Sequence, residues 1–352
     1  MSIKDKLQII LITYNRRVLL ERTLKQLAAD NSPIKDCEIT VLDNASTDGT
    51  KELCENFCNQ HSNFIYKRNP KNVGLSGNII KAMELASKKW LWILCDDDSF
   101  RWDAWSEIES ALQEDYDLVF TRKNPIKCDY SHLINDSAFL PNVIFNTKHI
   151  TSTTLINAYG IAHTLCPHHA ITCKVINENG KMFTPDSPFE IVMAGNNDVD
   201  NKDYLKVKND DLYFKFANYN ILQGYINSYM LIKDEKVRHE CMDVLCQGLT
   251  FKQSMNGFLH FNPEGDLVQI FELLANADKR QIEDFIDILI SSSNLAKEKY
   301  IKFILSNTVL ISKNILNKYR RLIICVSFHD NDIIIKLFGI NIKIKKWWKK
   351  CQ

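Results

Sequence analysis

Short apolar runs alternate with amphipathic stretches along the first third of the chain. The apolar runs are rich in β-branched or aromatic residues and predict strands; they cover residues 9–12, 39–42, 64–66, 90–95 and 118–120. The stretches between them carry apolar residues at helical spacing, such as Leu20, Leu24 and Leu27, and predict helices over residues 18–29, 50–60 and 79–87. Strands that alternate with helices indicate an α/β fold, with a mostly parallel sheet covered by helices on both faces.

The rest of the chain lacks this alternation. Residues 124–211 are polar and irregular, which predicts loops and short strands that complete a first domain over residues 1–212. Residues 213–320 are predicted to form a mainly helical extension, with the clearest amphipathic face at residues 282–290. Residues 321–352 return to β-like runs on either side of a polar turn at residues 330–332, which predicts a hairpin followed by a basic, aromatic tail.

Composition narrows the class of protein only moderately. The chain has 352 residues, of which 45% are hydrophobic and 25% charged, and a formal net charge of +1. These values are typical of a globular protein and give no overall field that would favour nucleic acid as a partner. The 11 cysteines are scattered without a C-x-x-C pair, so we expect free buried thiols in a reducing cytosol rather than a zinc site. Neither a signal peptide nor an apolar segment of membrane-spanning length is evident, which predicts a cytoplasmic location.

Polar segments follow four of the predicted strands. In parallel sheets, ligands bind beyond the carboxyl ends of the strands, so we expect these four segments to line one cleft. The segments are Thr13-Tyr14-Asn15-Arg16, Asp43-Asn44-Ala45-Ser46, residues 67–77 and Asp96-Asp97-Asp98.

The triple aspartate gives the strongest of these signals. Three consecutive carboxylates at the end of an apolar strand repel one another and are costly to desolvate, and a divalent cation relieves that cost. Mg²⁺ and Mn²⁺ take oxygen ligands and bridge to substrate phosphates, so the cluster of Asp96, Asp97 and Asp98 is a candidate metal site. The alternative is a solvated acidic turn or helix N-cap, because anions also favour helix starts.

Two further segments are candidates for nucleotide contacts. Asp43 ends a strand, where its carboxylate can accept hydrogen bonds from a base or a ribose. Thr47 or Asp48, in contrast, is expected to cap the helix that follows. The glycines within residues 72–78 allow tight backbone near a helix start, where N–H groups can face a diphosphate. Loops of Gly, Ser and Asn are also common as plain turns.

Together these segments resemble glycosyltransferase family 2. The matching stretches are IILITYNRR, ITVLDNASTDGT, NVGLSGN and LCDDD, in the order and spacing of the family, over about residues 7–105. The resemblance implies a GT-A fold, which is a Rossmann-like α/β sheet. It implies transfer of a sugar, with inversion, from a nucleotide-sugar donor, and UDP is the expected nucleotide. It also implies a surface glycan as acceptor, such as lipopolysaccharide, O-antigen or capsule.

The family pattern further implies a role for individual residues. Thr13 and Tyr14 would lie around the nucleobase, Asp43 would contact the base and Asp97 would lie near the ribose. Asp96 and Asp98 would hold Mn²⁺ or Mg²⁺, with Asp98 as the more direct ligand. Asn78 stands where many relatives have arginine, so this position lacks a charge for the diphosphate. The other expected nucleotide contacts are Asn15, Asn44, Asn72, Gly74 and Asp96.

The resemblance also implies a carboxylate general base beyond the acidic cluster, near an acidic pair. This sequence has no clear Glu-Asp pair there, and we select Asp186 or Glu190 ahead of Asp198, Asp200 and Asp203. Each of these acids, taken alone, is more commonly a solvated loop residue. His168 and His169 are further candidates, which could shape the acceptor pocket, approach the metal or serve a plain loop.

The C-terminal tail combines lysines with two tryptophans. Lysines near an anionic leaflet contribute about 1 kcal/mol each, and tryptophan suits the membrane interface. The tail therefore predicts peripheral docking on the inner face of the cytoplasmic membrane, where lipid-linked acceptors lie; the alternative is a solvated, disordered end. Its residues are Lys343, Lys345, Lys346, Trp347, Trp348, Lys349 and Lys350. For the helical extension, substrate-side packing and assembly into a homo-oligomer are both open.

Two other functions compete with glycosyl transfer. A nucleotidyltransferase would carry a glycine-rich pyrophosphate loop after the first strand, and residues 13–17 contain no glycine. A non-catalytic glycan-binding or scaffold protein would keep the fold and lack the base. A dinucleotide dehydrogenase is disfavoured because no G-x-G-x-x-G follows any predicted strand.

Overall fold

A computed structural model describes residues 2–123, 130–162, 165–193, 228–238, 240–241, 324–328, 332–337 and 340–345. The chain divides into two compact units, Met1–Gly248 and Leu249–Gln352, and each is described by itself. The predicted boundary between residues 212 and 213 lies outside the described residues and stays a prediction.

The first unit alternates strands and helices along most of its described length. Its strands are β1 (Leu7–Thr13), β2 (Glu38–Asp43), β3 (Phe64–Arg68), β4 (Trp90–Cys95), β5 (Ser99–Phe100), β6 (Leu118–Phe120), β7 (Val143–Asn146), β8 (Met182–Phe183) and β9 (Val192–Met193). Its α-helices are α1 (Ile3–Lys6), α2 (Arg17–Ala28), α3 (Thr50–Gln60), α4 (Gly74–Glu84), α5 (Trp105–Gln113), α6 (Tyr130–Ser137), α7 (Ser152–Gly160) and α8 (His169–Asn177). Two short 3₁₀ turns flank β7, at Leu140–Asn142 and Thr147–His149.

Seven strands form one sheet in the order β3-β2-β1-β4-β7-β6-β8. The neighbours among β3, β2, β1 and β4 are parallel, as are β6 and β8. Strand β7 runs antiparallel to both of its neighbours, β4 and β6. Parallel neighbours need a crossover, which the helices after β1, β2 and β3 supply. The predicted α/β fold with a mostly parallel sheet is confirmed.

Side chains of the central strand β1 alternate between two hydrophobic cores. Every residue of β1 is buried, because the strand has neighbours on both edges and helices over both faces. Ile9 and Leu11 belong to the core that includes buried residues of α2 and α5. Ile10 and Ile12 belong to the opposite core, which includes buried residues of α4 and α8. This two-sided burial explains why residues 9–12 of the strand form a continuous apolar run instead of alternating with polar residues.

The segment predicted to be irregular, residues 124–211, contains three helices where it is described. Helices α6, α7 and α8 fall within it, together with the short strands β7, β8 and β9. Ala158 of α7 and Ile171 and Val175 of α8 are buried in the same core as α4. The prediction of loops and short strands was therefore wrong for these helices. Each of them has only 8 or 9 residues, too few for a clear periodic signal.

The described part of the second unit consists of three antiparallel strands, β10 (Ile324–Phe328), β11 (Asp332–Leu337) and β12 (Ile340–Lys345). Phe328 pairs with Ile333 and Leu337 pairs with Ile340. These strands fall in the segment predicted to form a hairpin, and the second apolar run of that segment contains two strands instead of one. The predicted amphipathic face at residues 282–290, most of the predicted helical extension and the tail from residue 346 lie outside the described residues. Within the part of the chain that the structure describes, no helix is long and apolar enough to cross a membrane.

Candidate functional site

The structure brings the predicted cleft segments together at one edge of the sheet. Strands β3, β2, β1 and β4 are adjacent and parallel, so their carboxyl ends lie side by side. Thr13 at the end of β1 is the register partner of Asp43 at the end of β2. The Thr13 hydroxyl donates a hydrogen bond to Asp96 Oδ2 at 2.7 Å, and the Thr13 carbonyl accepts one from Asn44 N–H at 2.9 Å. Tyr14 follows at the same edge and is partly exposed.

Asp96 is buried at this edge and is paired with a cation from the first loop. Its Oδ1 atom lies 3.0 Å from Arg16 Nη1, and the same Nη1 lies 3.2 Å from Asp97 Oδ2. Burial raises the pKa of the Asp96 carboxyl, while Arg16 opposes that shift and Asp97 adds to it. One guanidinium therefore offsets the repulsion between two adjacent carboxylates.

Helix α2 fixes the backbone of the acidic segment. The Thr23 hydroxyl donates to the backbone oxygen of Asp96 at 2.8 Å and lies 3.3 Å from that of Asp98. Arg22 Nη2 donates to the backbone oxygen of Asp97 at 2.8 Å. Because three backbone oxygens are held in this way, the acidic segment has a defined conformation onto which a ligand can bind.

The three carboxylates of this segment differ in accessibility. Asp97 has a side chain that is 28% exposed, whereas Asp98 is 1% exposed and its Oδ2 accepts a hydrogen bond from Cys95 N–H at 3.3 Å. Among the described residues, the three do not form a compact set of three converging ligands. Their oxygen atoms fit a hard cation with few protein ligands, the kind of site in which Mg²⁺ or Mn²⁺ takes its other ligands from phosphates and water.

Asp43 shapes the loop after β2. It is fully buried; its Oδ1 accepts from Ser46 N–H at 2.9 Å, and its Oδ2 accepts from the Tyr66 hydroxyl at 2.7 Å and from Arg68 Nε at 3.2 Å. Burial and the bond to Asp43 raise the pKa of Tyr66. The predicted base-contacting carboxylate thus already has three partners within the chain.

The loops after β1 and β2 are bonded to each other. Asn15 N–H donates to Ser46 Oγ at 2.9 Å, and Asn15 Oδ1 accepts from Thr47 N–H at 2.7 Å. Asn15 and Ala45 both have positive φ, 50° and 68°. For Ala45 this backbone conformation is sterically costly, and such strain is found at ligand sites when the surrounding structure enforces it.

Four asparagines join the loop after β2 to the start of α4. Asn44 donates to Asn72 Oδ1 at 2.7 Å and to the Gly74 carbonyl at 3.2 Å. Asn69 donates both to Asn44 Oδ1 at 3.0 Å and to Asn78 Oδ1 at 2.9 Å. Asn78 donates to the Leu42 carbonyl at 3.2 Å. Asn78 is therefore a buried structural residue at the position where the resemblance implies a diphosphate-binding arginine.

The N–H groups at the start of α4 are partly occupied. Val73 N–H donates to Asn44 Oδ1 at 3.0 Å, and Gly74 N–H donates to Asn72 Oδ1 at 2.8 Å. The glycine at position 74 has φ of 75°, a conformation that a residue with a Cβ rarely adopts. These two bonds hold the start of α4 against the asparagine network.

The two candidate bases lie on one segment that leads to β9. Strand β9 pairs antiparallel with β5, directly after the acidic segment, and Arg101 N–H donates to the Ile191 carbonyl at 2.8 Å. Glu190 precedes this paired stretch by one residue, is exposed, and lies 3.6 Å from Arg122 Nη1. The backbone N–H of Asp186, also exposed, donates to Glu107 of α5 at 2.7 Å. Asp198, Asp200 and Asp203 lie outside the described residues.

His168 and His169 lie at the start of α8 and are fully buried. His168 Nε2 lies 2.7 Å from the Ser137 carbonyl of α6, and His169 Nδ1 lies 3.0 Å from Ser228 Oγ. They are therefore not part of an exposed loop, which corrects the plain loop role considered for them. The roles in the acceptor pocket and near the metal stay predictions.

Several residues of this site were missed in the sequence. Arg16, Arg22 and Thr23 contact the acidic segment, and Tyr66 and Arg68 hold Asp43. Arg16 lies in one of the four polar segments that the strand pattern selected for the cleft. Its positive charge, in a cleft predicted to hold three aspartates, could have identified it as a partner of the acidic segment. Thr23 lies on the buried face of a helix, where nothing in the sequence distinguishes it from a packing residue.

The sequence model of the family described as Glycosyl transferase family 2 matches residues 8–180 of the chain. The matched residues include β1 from its second residue, every strand from β2 to β7 and all four cleft segments.

Two curated relatives are similar over about a third of the chain. Abequosyltransferase RfbV of Salmonella typhimurium is 33% identical over 125 residues, which is 35% of this chain and 37% of the relative. The GalNAc(5)-diNAcBac-PP-undecaprenol beta-1,3-glucosyltransferase of Campylobacter jejuni is 34% identical over 116 residues, or 33% of this chain and 37% of the relative. The chain thus spans little more than a third of the length of these relatives.

Solved structures show the same fold. S. aureus TarS 1-349 superposes with a TM-score of 0.54 at 13% identity, covering 97% of this chain and 99% of that one. Its complex with UDP gives a TM-score of 0.53 at 14% identity, covering 96% and 98%. At this identity the likeness establishes the GT-A fold and nothing about ligands.

Proposed function

Since the chain belongs to glycosyltransferase family 2 through residues 8–180, we propose that it transfers a sugar, with inversion, from a nucleotide-sugar donor to a hydroxyl of a surface glycan. The observation that carries this proposal is the acidic segment at the carboxyl end of β4, where Asp96 and Asp97 share Arg16 beside Thr13. A fixed, partly buried set of carboxylates at this edge is suited to hold a cation and, through it, a diphosphate.

The donor nucleotide binds across the loops after β1, β2 and β3. Tyr14 and Asn15 flank the base, and the asparagine network of Asn44 and Asn72 maintains the shape of the loop below it. Asp97, the accessible member of the acidic segment, binds the ribose. UDP is the proposed nucleotide, because structures of TarS, which has the same fold, were determined with UDP and with UDP-GlcNAc.

Asp96 and Asp98 are the proposed ligands of Mn²⁺ or Mg²⁺. A bound divalent cation neutralises the charge that develops on the leaving diphosphate. Arg16 offsets the carboxylate charge next to that position, and Thr23 and Arg22 hold the backbone of the segment in place. Asp98 has to turn from Cys95 N–H towards the cleft to serve as a ligand.

Glu190 is our preferred general base, ahead of Asp186. It lies next to the stretch that pairs with β5 immediately after the acidic segment, whereas the backbone N–H of Asp186 donates to Glu107 of α5. The base accepts the proton of the acceptor hydroxyl as that oxygen attacks the anomeric carbon from the face opposite the diphosphate.

The acceptor we propose is a lipid-linked precursor of a surface glycan. The name of the C. jejuni relative describes a glucosyltransferase acting on an undecaprenol-linked glycan, and that of the Salmonella relative describes an abequosyltransferase. Peripheral contact of the tail with the inner face of the membrane would bring the enzyme to such an acceptor. No observation favours the nucleotidyltransferase alternative over this function.

Calorimetric titration with UDP, with and without Mn²⁺, tests the donor site. The wild-type chain is expected to bind UDP in the micromolar range only with the metal, and Asp98→Ala to weaken binding by at least about tenfold. Asp103→Ala is the matched control, because Asp103 is an exposed acid whose partner is Arg101. Absence of UDP, GDP and TDP binding under every metal condition would contradict the donor site and favour the non-catalytic scaffold alternative.

A further inference from the structure

A second cluster of metal-ligating side chains lies away from the acidic segment. Cys166, His168 and His169 are buried, and one ligand atom from each lies within 4.8 Å of the other two. A tetrahedral zinc site with bonds of roughly 2.0–2.3 Å needs ligand atoms roughly 3.3–3.8 Å apart, so the three side chains have to move inward by only about 1 Å.

Hydrogen bonds hold the imidazoles of His168 and His169 in orientations that suit metal binding. The Ser137 carbonyl can only accept, so the Nε2 of His168, 2.7 Å away, carries the proton and donates it. The lone pair of that ring is therefore on Nδ1, which is buried and has no hydrogen-bond partner among the described residues. His169 uses its Nδ1 for the hydrogen bond to Ser228 Oγ at 3.0 Å. A bond from the distal ring nitrogen to a backbone carbonyl or a polar group is how metal-bound histidines are held.

A buried ring nitrogen whose lone pair accepts no hydrogen bond costs free energy. The Nδ1 atom of His168 is such a nitrogen, which points to a ligand at this position. Burial lowers the pKa of His168 to about 4 and that of His169 well below its ordinary value, so both rings are neutral at physiological pH, the form that binds metal. Burial also raises the pKa of the Cys166 thiol to about 12. The raised pKa means that the thiol keeps its proton until a metal ion displaces it.

We propose that Cys166, His168 and His169 bind one zinc ion at a structural site separate from the acidic segment. As the ion binds, the Cys166 thiol loses its proton to solvent and forms a thiolate–zinc bond, and each neutral imidazole donates one nitrogen lone pair. A water completes the tetrahedral set. One thiolate and two imidazoles favour zinc over Mg²⁺ or Mn²⁺, which prefer oxygen.

The ion would fasten three parts of the first unit to one another. Through His168 it is linked to Ser137 at the end of α6, and through His169 to Ser228 in the described stretch of residues 228–238. Cys173 of α8 extends this connection, because its thiol donates to the Ser228 carbonyl at 3.1 Å. The proposed zinc therefore stabilises the attachment of residue 228 to the α/β sheet.

Metal analysis of the purified full chain by mass spectrometry tests the proposal. We expect about one zinc per chain in the wild type and its loss in Cys166→Ser. Cys37→Ser removes a buried thiol elsewhere in the core and should keep the zinc. Asp98→Ala should also keep it, because that residue belongs to the acidic segment. Zinc that is lost in Asp98→Ala and kept in Cys166→Ser would overturn the proposal, as would a wild type that contains none after growth with zinc.

Cobalt exchange into the wild type provides a measurement that does not depend on a variant folding. A cobalt–thiolate charge-transfer band together with tetrahedral visible absorption is expected, and a spectrum of octahedral cobalt with oxygen ligands would overturn the proposal. Chelation should lower the Tm of the wild type by more than about 2 °C and leave that of Cys166→Ser unchanged. An equal response of both proteins would contradict a structural role for the ion.

Discussion

At the scale of single residues, Arg16 compensates the negative charge of the acidic segment. Its guanidinium is the positive charge within 3.2 Å of both Asp96 and Asp97. Removing one partner of a largely buried ion pair is costly, because the remaining charge keeps its desolvation penalty without its attraction. Arg16 therefore stabilises the cleft before any ligand binds.

Arg16→Gln should lower the free energy of unfolding by about 2 kcal/mol in the absence of divalent cations. Added Mn²⁺ should reduce the difference from wild type, since the metal supplies the missing positive charge. Arg17→Gln is the matched control, because the neighbouring arginine has an exposed side chain. Thermal unfolding with and without Mn²⁺ measures both effects, and an unchanged Tm of Arg16→Gln would show that the bridge contributes nothing.

The two candidate bases can be separated by isosteric substitutions. Glu190→Gln should reduce turnover by about 100-fold or more and leave UDP affinity unchanged, because a general base acts on the acceptor and not on the donor. Asp186→Asn should keep most of the activity. The measurement is release of UDP from the bound nucleotide sugar in the presence of extracted lipid-linked glycans. The reverse result would assign the base to Asp186, and two active variants would exclude both residues.

The pairing of Arg16 with Asp96 marks the limit of what the sequence could predict at this scale. The four cleft segments follow from rules of strand order, and they do meet. Which side chains pair within them depends on geometry across 80 residues of sequence, and no local pattern encodes it. Asp43 illustrates the same point, since its partners Tyr66 and Arg68 lie on the next strand of the sheet.

At the scale of elements, predictions succeeded where burial is regular. Strands β1 and β4 are flanked on both edges and covered on both faces, so their continuous apolar runs could be recognised. Helices α6, α7 and α8 were missed because each has only 8 or 9 residues, too few for a clear helical period. The start of α4 was predicted five residues late, because Gly74 and Ser76 do not look like helix formers although the asparagine network supports them.

Asp117 joins the outer elements of the sheet. Its Oδ1 lies 2.6 Å from Lys148 Nζ and 2.7 Å from His149 Nε2, and its Oδ2 accepts from Lys181 N–H at 2.7 Å. Burial alone would raise the pKa of this carboxyl, but the hydrogen bonds from Lys148, His149 and Lys181 outweigh burial and lower it to about 2. One side chain thus connects the start of β6 with the turn after β7 and the start of β8.

The pKa of Asp117 predicts a specific dependence of stability on pH. Its folded value lies below the ordinary value of about 3.9, so the carboxylate stabilises the fold above about pH 4, and this contribution is lost as pH falls towards about 2. Asp117→Asn should therefore be about 2 kcal/mol less stable at pH 7, with the gap closing between about pH 4 and pH 2. Asp115→Asn, at an exposed position, is the control. Urea unfolding across this range measures the gap, and a gap independent of pH would contradict the assignment.

At the scale of the whole molecule, the stretch that matches the family 2 model does not reach the second unit. The matched residues end at 180, and the second unit begins at Leu249. Its three antiparallel strands end at Lys345, so Lys343 and Lys345 belong to β12. The remaining basic and aromatic residues follow the last strand, where they can be removed without cutting the sheet.

Deleting residues 346–352 therefore tests membrane docking without disturbing β12. The deletion removes three lysines and two tryptophans, and lysines contribute about 1 kcal/mol each at an anionic surface, so binding should weaken by roughly a hundredfold. The measurement is co-sedimentation with vesicles of phosphatidylglycerol and phosphatidylcholine, and high salt should weaken the binding of the intact chain. Replacing Trp347 and Trp348 by alanine separates the interfacial from the electrostatic contribution. Equal sedimentation of the intact and the shortened chain would show that the tail is not the docking segment. The enzyme would then have to reach a lipid-linked acceptor through another surface.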